Sequence, residues 1–376
     1  MFSLNENQLL IQKTVREIVQ KEIATKSSEI DKKSLFPWDN LKKLAEADLL
    51  GMNVSSDYDG VGADRLSYVL AVEEVAKGCA STALITVAHS FVSRGIMVAG
   101  SEEQKKKYLS PLARGEKIGA FCVHESNSGC SHTAIETQAD LEGDEYVING
   151  SKFMITSAGA ADVYLVLAYS DKEKGKEGIS MFIVEKNAPG LEVSQPYSKM
   201  GFCGATNSDL YFQDCRISKE NLLGKEGQGL KILRKIVRGL VLFGAGALSL
   251  GISSAALEDS IRYARERVIA DVPIGANQAI QLLITEMDVK VESMRSFLYM
   301  VAADEERPDL DVLKVKLMAS EGAVEVTDKA LQLHGGHGYC KDFPVERYYR
   351  DARGLTLHFN INELLKLSIA SSILDL

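Results

Sequence analysis

The sequence predicts an α+β protein of three consecutive parts: N-terminal helices, a middle β domain and C-terminal helices. Three observations carry this. Apolar residues recur at helical spacing up to about residue 115, the pattern changes to that of short strands near Gly119, and long helical runs resume from Gly229. The boundaries fall at 1–116, 117–226 and 227–376. At 376 residues the chain is too long for one simple core, in keeping with several packed parts.

In the first part Leu9, Leu10, Val15, Ile18 and Val19 follow helical spacing, and Leu41, Leu44, Ala45 and Leu49 repeat it after Pro37, which suits a helix start. The loop 57–62 interrupts, and the helical pattern resumes over Leu66 to Ala76 and Ser81 to Val98. Ser101, three positions ahead of Gln104, predicts a capped helix start. In the second part Tyr146-Val147-Ile148 runs into Asn149-Gly150, which reads as a hairpin turn. Val163 to Tyr169, Ser180 to Glu185, Leu191 to Val193 and Asp209 to Phe212 read as further strands. In the third part Gly251 to Arg267, Gln278 to Ala303 and Leu313 to His334 are long periodic runs.

The net charge of -9 argues against a nucleic-acid-binding protein, because phosphate neutralisation needs a surplus of Lys and Arg. The six cysteines include no Cys-x-x-Cys pair, so neither a zinc site nor a disulfide framework is expected, and a reducing cytoplasm fits best. The N-terminus lacks a basic segment followed by a signal core. Leu240 to Ile252, broken by three glycines and a serine, falls short of the ~20 residues of a membrane helix and reads as a buried helix, so no membrane partner is expected.

Several motifs recur in order along the chain. They are the capped 101–109 segment with Pro111-Leu112-Ala113, the 144–152 segment ending Asn149-Gly150-Ser151-Lys152, and Leu333-His334-Gly335-Gly336-His337-Gly338-Tyr339 leading to Arg350-Asp351-Ala352. Together they resemble the acyl-CoA dehydrogenase family of flavoproteins over nearly the whole chain. The resemblance implies N-terminal helices, a middle β-barrel domain and a C-terminal four-helix bundle. It also implies bound FAD, and a homodimer or homotetramer in which one subunit completes its neighbour's FAD site.

Carried over residue by residue, the resemblance implies flavin contacts from the stretch holding Phe121, Val123, His124, Gly129 and Cys130, and from Met154, Ile155 and Thr156. His124 stands where the family has Thr, Cys130 where it has Ser, and Met154 where it has Trp. Contacts to a neighbour's FAD are implied for Arg267, Gln278, Gln332, Leu333, Gly335 and Gly336, and Glu363 takes the place of a cofactor-binding Gln. The residues after Arg267 depart from the family's Lys-Thr-Phe-Gly.

Family members use a carboxylate to remove the α-proton of a thioester. The position where it usually follows Arg-Asp-Ala is Phe359 here, and the alternative position near Leu240 to Leu242 holds no carboxylate either. A phenyl ring accepts no proton, so ordinary α,β-desaturation is expected to be nearly absent. Three readings remain open: a dehydrogenase of a substrate that needs no α-proton removed, a flavin monooxygenase, and a non-catalytic flavin-binding protein. The first matches relatives that oxidise a carrier-protein-bound 3-oxo group, as a hydrated aldehyde, to a malonyl-type (amino- or hydroxymalonyl, or methoxymalonyl) extender unit for polyketide and peptide assembly. Its partners would be an acyl carrier protein and an electron acceptor that the sequence does not identify.

Lys231, Arg234, Lys235 and Arg238 lie at helical spacings of three and four and form a basic stripe. It suits docking of an acidic carrier protein, and equally a solvated helix face. His358, beside the vacated base position, is the first candidate proton acceptor, against a buried structural role. His124 and His132 lie near the flavin stretch and suit contacts to cofactor or substrate, while His334 and His337 flank the glycine turn of the FAD loop. No histidine spacing suggests a metal site.

Overall fold

The computed structural model describes residues 3–304 and 306–376. The N-terminal part holds α1 (Glu6–Ile18), α2 (Ser27–Lys33), α3 (Trp38–Glu46), α4 (Arg65–Gly78), α5 (Ala80–Ala99) and α6 (Glu102–Ala113). Ser101 caps α6 as expected. Its hydroxyl accepts from the Gln104 N–H, and the Gln104 side chain returns to the Ser101 N–H. Pro37 precedes α3, again as expected.

The middle part is one seven-stranded sheet of β1 (Gly119–Cys122), β2 (Gln138–Glu142), β3 (Glu145–Thr156), β4 (Val163–Tyr169), β5 (Ile179–Glu185), β6 (Leu191–Val193) and β7 (Asn207–Ser218). The order is β1-β4-β2-β3-β7-β6, with β5 also on β4. Pairing of β1 with β4 is parallel, and β3 runs antiparallel to β7. Strands β5 and β6 do not pair with each other, so the sheet is an open form of the expected barrel. Side chains from β1, β3, β4, β5 and β7 nevertheless share one core around Tyr146, Tyr164, Phe182 and Phe212.

β4 is apolar throughout and buried throughout because it has two faces to fill. Val163, Leu165 and Leu167 join the helical core that includes α5, while Tyr164, Val166 and Ala168 turn into the sheet's own core. β5 divides the same way, with Met181 and Ile183 on one side and Phe182 and Val184 on the other. These two strands fix the sheet against the helices.

Asn149-Gly150 is not the hairpin turn. The β2–β3 hairpin turns at 143–144, and β3 runs unbroken through Gly150, where its register against β7 shifts in a bulge. Gly150 has φ 142°, and a Cβ there would stand 2.6 Å from Thr137 Oγ1. The glycine serves a bulge and a close approach, the other use of glycine inside a strand.

In the C-terminal part α7 (Gly229–Ile236) passes through a π-helical turn, Val237–Val241, into α8 (Leu242–Glu266). A two-residue hairpin, β8 (Val268–Ile269) with β9 (Val272–Pro273), leads to α9 (Gln278–Ala303), α10 (Asp309–His334), α11 (Val345–Leu355) and α12 (Asn362–Ile373). Helices α8, α9 and α10 pack on one another, α11 closes on α8 and α10, and α12 lies on α10. Helix α8 begins nine residues before the expected Gly251 and absorbs most of Leu240–Ile252, all of it buried. Helix α5 and the 229–266 run are long and apolar enough to cross a membrane, but 78% and 100% of their most apolar windows are buried inside the fold. Their apolar character is that of core helices.

Candidate functional site: a cavity between the sheet and the helices

The three parts meet around a cavity of about 390 Å³. Helix α5 contributes Ala88 and Phe91, the segment from Phe121 to His132 one wall, and the end of β3 (Phe153, Met154, Ile155, Thr156) another. Leu233, Val237 and Val241 come from α7 and the π turn, and Leu357 to Asn360 from the loop between α11 and α12. The spacing of four between Leu233, Val237 and Val241 lines one helix face on the opening. Pockets of this kind commonly form at domain junctions.

A row of aromatic rings forms one side. Phe91 lies edge-on to Phe121 at 5.8 Å and to Phe359 at 5.7 Å. Phe359 and Asn360 both have left-handed backbone, φ 56° and 70°, a costly conformation for a phenylalanine. A buried lysine holds that turn: Lys316 Nζ donates to the Asn360 carbonyl at 2.8 Å and to Asn362 Oδ1 at 2.7 Å. Ser320 donates to the same Asn362 oxygen at 3.1 Å. Burial pushes Lys316 down to about 7. Sequence reading missed this lysine, because nothing in its helical context marks it as buried.

Three of the chain's six histidines, His124, His132 and His358, line the cavity. The His124 and His132 rings lie 5.2 Å apart. Burial lowers His132 to about 4, with His124 and Lys152 adding to the effect. Burial also lowers His124, helped by Lys152, while a hydrogen bond to the Gly129 backbone opposes it. His358 packs between Phe202 and Phe359, each 5.9 Å away, and is pushed down to about 4 by burial and by Lys199, Lys316 and His124.

Glu125 is the one carboxylate among the described lining residues, and it is fully engaged. Its Oε1 accepts from the buried Lys152 Nζ at 2.5 Å and from Thr137 Oγ1 at 2.6 Å, and its Oε2 accepts from the Glu136 N–H at 2.6 Å. Burial pushes its carboxyl up, but Lys152 and these hydrogen bonds leave it held down. The pair stays charged and pins the 124–130 loop to β3. Lys152 was legible only as part of a motif.

The predicted site residues fall into two groups. Phe121, Val123, His124, Gly129, Cys130, Met154, Ile155, Thr156, His358 and Phe359 all line the cavity. Arg267, Gln278, Gln332, Leu333, Gly335 and Gly336 do not; they lie at the ends of α8, α9 and α10, and all but Leu333 are exposed. At the ends of α8 and α10, Tyr263 stacks on His334 at 4.2 Å and bonds His337 at 2.9 Å. Glu363, also exposed, starts α12 outside the cavity. The basic stripe is divided: Lys231, Arg234 and Lys235 are exposed, while Arg238 is partly buried and ion-paired with Asp309.

Helices, sheet and helices thus close over a cavity of mixed aromatic, imidazole and amide groups. The acyl-CoA dehydrogenase N-terminal, middle and C-terminal domain families match residues 5–116, 120–215 and 243–374. The chain belongs to the acyl-CoA dehydrogenase family. It is 39% identical to the short-chain specific acyl-CoA dehydrogenase of Clostridium acetobutylicum, over 99% of each chain. Among solved structures it is similar to butyryl-CoA dehydrogenase from Megasphaera elsdenii, at TM-score 0.96 and 35% identity over all of both chains. It is also similar to the prolyl acyl carrier protein oxidase AnaB, at TM-score 0.93 and 31% identity over 99% of this chain and 100% of that one.

Members of this family are FAD-dependent, and the cavity suits that cofactor. Apolar surfaces of Phe121 and Met154 stand beside the His124 imidazole and the Thr156 hydroxyl, polar groups able to meet the edge of a flat ring, while the buried Asn207 amide is spent on the Met154 carbonyl, Thr156 Oγ1 and Lys199 and holds this wall in place. At Gly129, φ 54°, no atom lies within 4 Å of where a Cβ would stand, so the backbone there is open to a ligand.

Proposed function

We propose that this chain is an FAD-dependent dehydrogenase that oxidises a carrier-protein-bound 3-oxo acyl group, as its hydrated aldehyde, to a malonyl-type acid. The observation that carries the reading is the composition of the cavity: Phe359 in an aromatic wall and, among the described lining residues, no carboxylate free to take an α-proton. FAD, when bound, supplies the acceptor for a hydride. The chain's own residues have three tasks. The 121–130 and 154–156 stretches hold the cofactor, and Phe91, Phe121 and Phe359 exclude water. The Phe359-Asn360 turn, fixed by Lys316, shapes the space beside the reacting carbon.

The carrier half of the reading rests on the α7 helix. Leu233 lines the cavity while Lys231, Arg234 and Lys235 stand exposed on the same helix. No described acidic side chain forms an ion pair with these three. A thioester arm entering past Leu233 would bring an acidic carrier protein against them, with steering as the main gain. A relative described as acting on a carrier-bound prolyl group supports the same reading. The exposed Arg267, Gln278 and Gln332–Gly336 patch is assigned to a neighbouring subunit's FAD in a homodimer or homotetramer, and the reaction to the cytoplasm.

The charge-reversed double variant Arg234→Glu/Lys235→Glu tests it. Anaerobic bleaching of the yellow protein by a carrier-bound 3-oxopropionyl thioester should slow by about 10-fold or more at low salt, while bleaching by the pantetheine thioester stays unchanged. Equal loss on both substrates removes the docking role. Bleaching that requires an external reductase and oxygen would make the protein a monooxygenase.

A further inference from the structure

Phe359 stands in the cavity wall on a backbone that a bulky side chain does not favour, and two sets of contacts keep it there. The first acts on the backbone. Residues 359 and 360 both have positive φ, 56° and 70°. Lys316, fully buried on α10, reaches across to this turn, where its Nζ donates to the Asn360 carbonyl at 2.8 Å and to Asn362 Oδ1 at 2.7 Å. Ser320, one helical turn further on, donates to the same Asn362 oxygen at 3.1 Å. Asn362 is buried too, so a lost bond here leaves a polar atom without a partner. The second contact acts on the ring. Phe91, buried on α5, meets Phe359 edge-on at 5.7 Å.

The place so fixed bears on what the cavity admits. About 390 Å³ is shared by a flat cofactor ring and the end of a substrate. With the 121–130 and 154–156 stretches assigned to the ring, the substrate's side is largely apolar, with Ala88 and Phe91 from α5, Leu233, Val237 and Val241 from α7 and the π turn, and Phe359. The phenyl rings of Phe91 and Phe359 take up space there that a longer chain would need. We propose that Phe359, with Lys316 as its positioning residue, sets the length of the acyl group this cavity accepts and confines it to a short one. The inference rests on the reading that a thioester arm enters past Leu233, and is independent of the reaction that follows.

The probes that test it are S-propyl, S-pentyl and S-heptyl pantetheine, thioethers without the carbonyl that oxidation requires. Binding to the FAD-loaded chain is read from the shift of the flavin absorbance. Wild type should bind the propyl form about 10-fold or more tighter than the heptyl form. Phe359→Ala should bring the two within about threefold or reverse their order. Lys316→Met should do the same, and Lys316→Met/Phe359→Ala should change the ratio no further, because both substitutions act through one ring. Asn362→Ala loosens the clamp at its other partner and should move the ratio in the same direction, which decides the matter where Lys316→Met does not fold. A lysine with a merely structural role would, when replaced, weaken all three probes alike and leave the ratio unchanged.

A folded, yellow Lys316→Met or Asn362→Ala protein with the wild-type ratio therefore removes the positioning role. A wild type indifferent to length, or an unchanged ratio in Phe359→Ala, overturns the inference while entry of the thioester stands. A wild type that binds none of the probes overturns the entry reading, and the inference with it.

Discussion

Lys152 shows how much one buried charge does at this site. Its side chain is 0% exposed and Glu125's 6%, so neither ion has water to return to if its partner is lost. Lys152→Met would leave a carboxylate buried beneath the 124–130 loop. Breaking such a pair costs about 3–5 kcal/mol, and urea unfolding should show a loss of that size, with FAD retention falling in step. A loss below about 1 kcal/mol would mean that Thr137 and the Glu136 N–H suffice to hold the carboxylate. Lys152 was visible in the sequence only as the end of a motif. Its partner lies 27 residues away, a pairing that periodicity does not reveal.

At the scale of elements, the sequence was most readable where local chemistry decides structure. Ser101 and Gln104 form their capping box within three residues, and α9 spans Gln278–Ala303 as its periodicity indicated. Asn149-Gly150 misled because the same glycine freedom serves a turn or a bulge, and the choice is made by Thr137 on a neighbouring segment. Gly150→Ala should cost on the order of 1–3 kcal/mol, read as a lowered urea midpoint, since a Cβ would press on Thr137 whose hydroxyl bonds Glu125. An unchanged midpoint would show that the bulge relaxes freely. The π turn Val237–Val241 was likewise hidden: its apolar residues fit an ordinary helix, and only the join of α7 to α8 shows the altered winding.

Across the whole molecule, the candidate site is made where three parts meet, and that explains what could be read beforehand. Residues of the 121–130 and 154–156 stretches and of the 358–359 turn were named separately and converge on one cavity. Arg267, Gln278 and the 332–336 run do not join them within one chain, and their place at a neighbouring subunit's FAD is part of the proposal. Phe91, Lys316 and Asn207 escaped notice because ordinary core and strand positions give no signal until the parts assemble. On the proposed function, a cavity walled by Phe359, with no free carboxylate among its described lining residues, does not desaturate acyl-CoA. The direct measurement is anaerobic absorbance of the FAD-loaded protein mixed in parallel with a carrier-bound 3-oxopropionyl thioester and with butyryl-CoA, followed by mass analysis of both products. Bleaching and a malonyl product are expected with the first and neither bleaching nor a 2-enoyl product with the second; rapid bleaching by butyryl-CoA with formation of the enoyl thioester would contradict the proposed function.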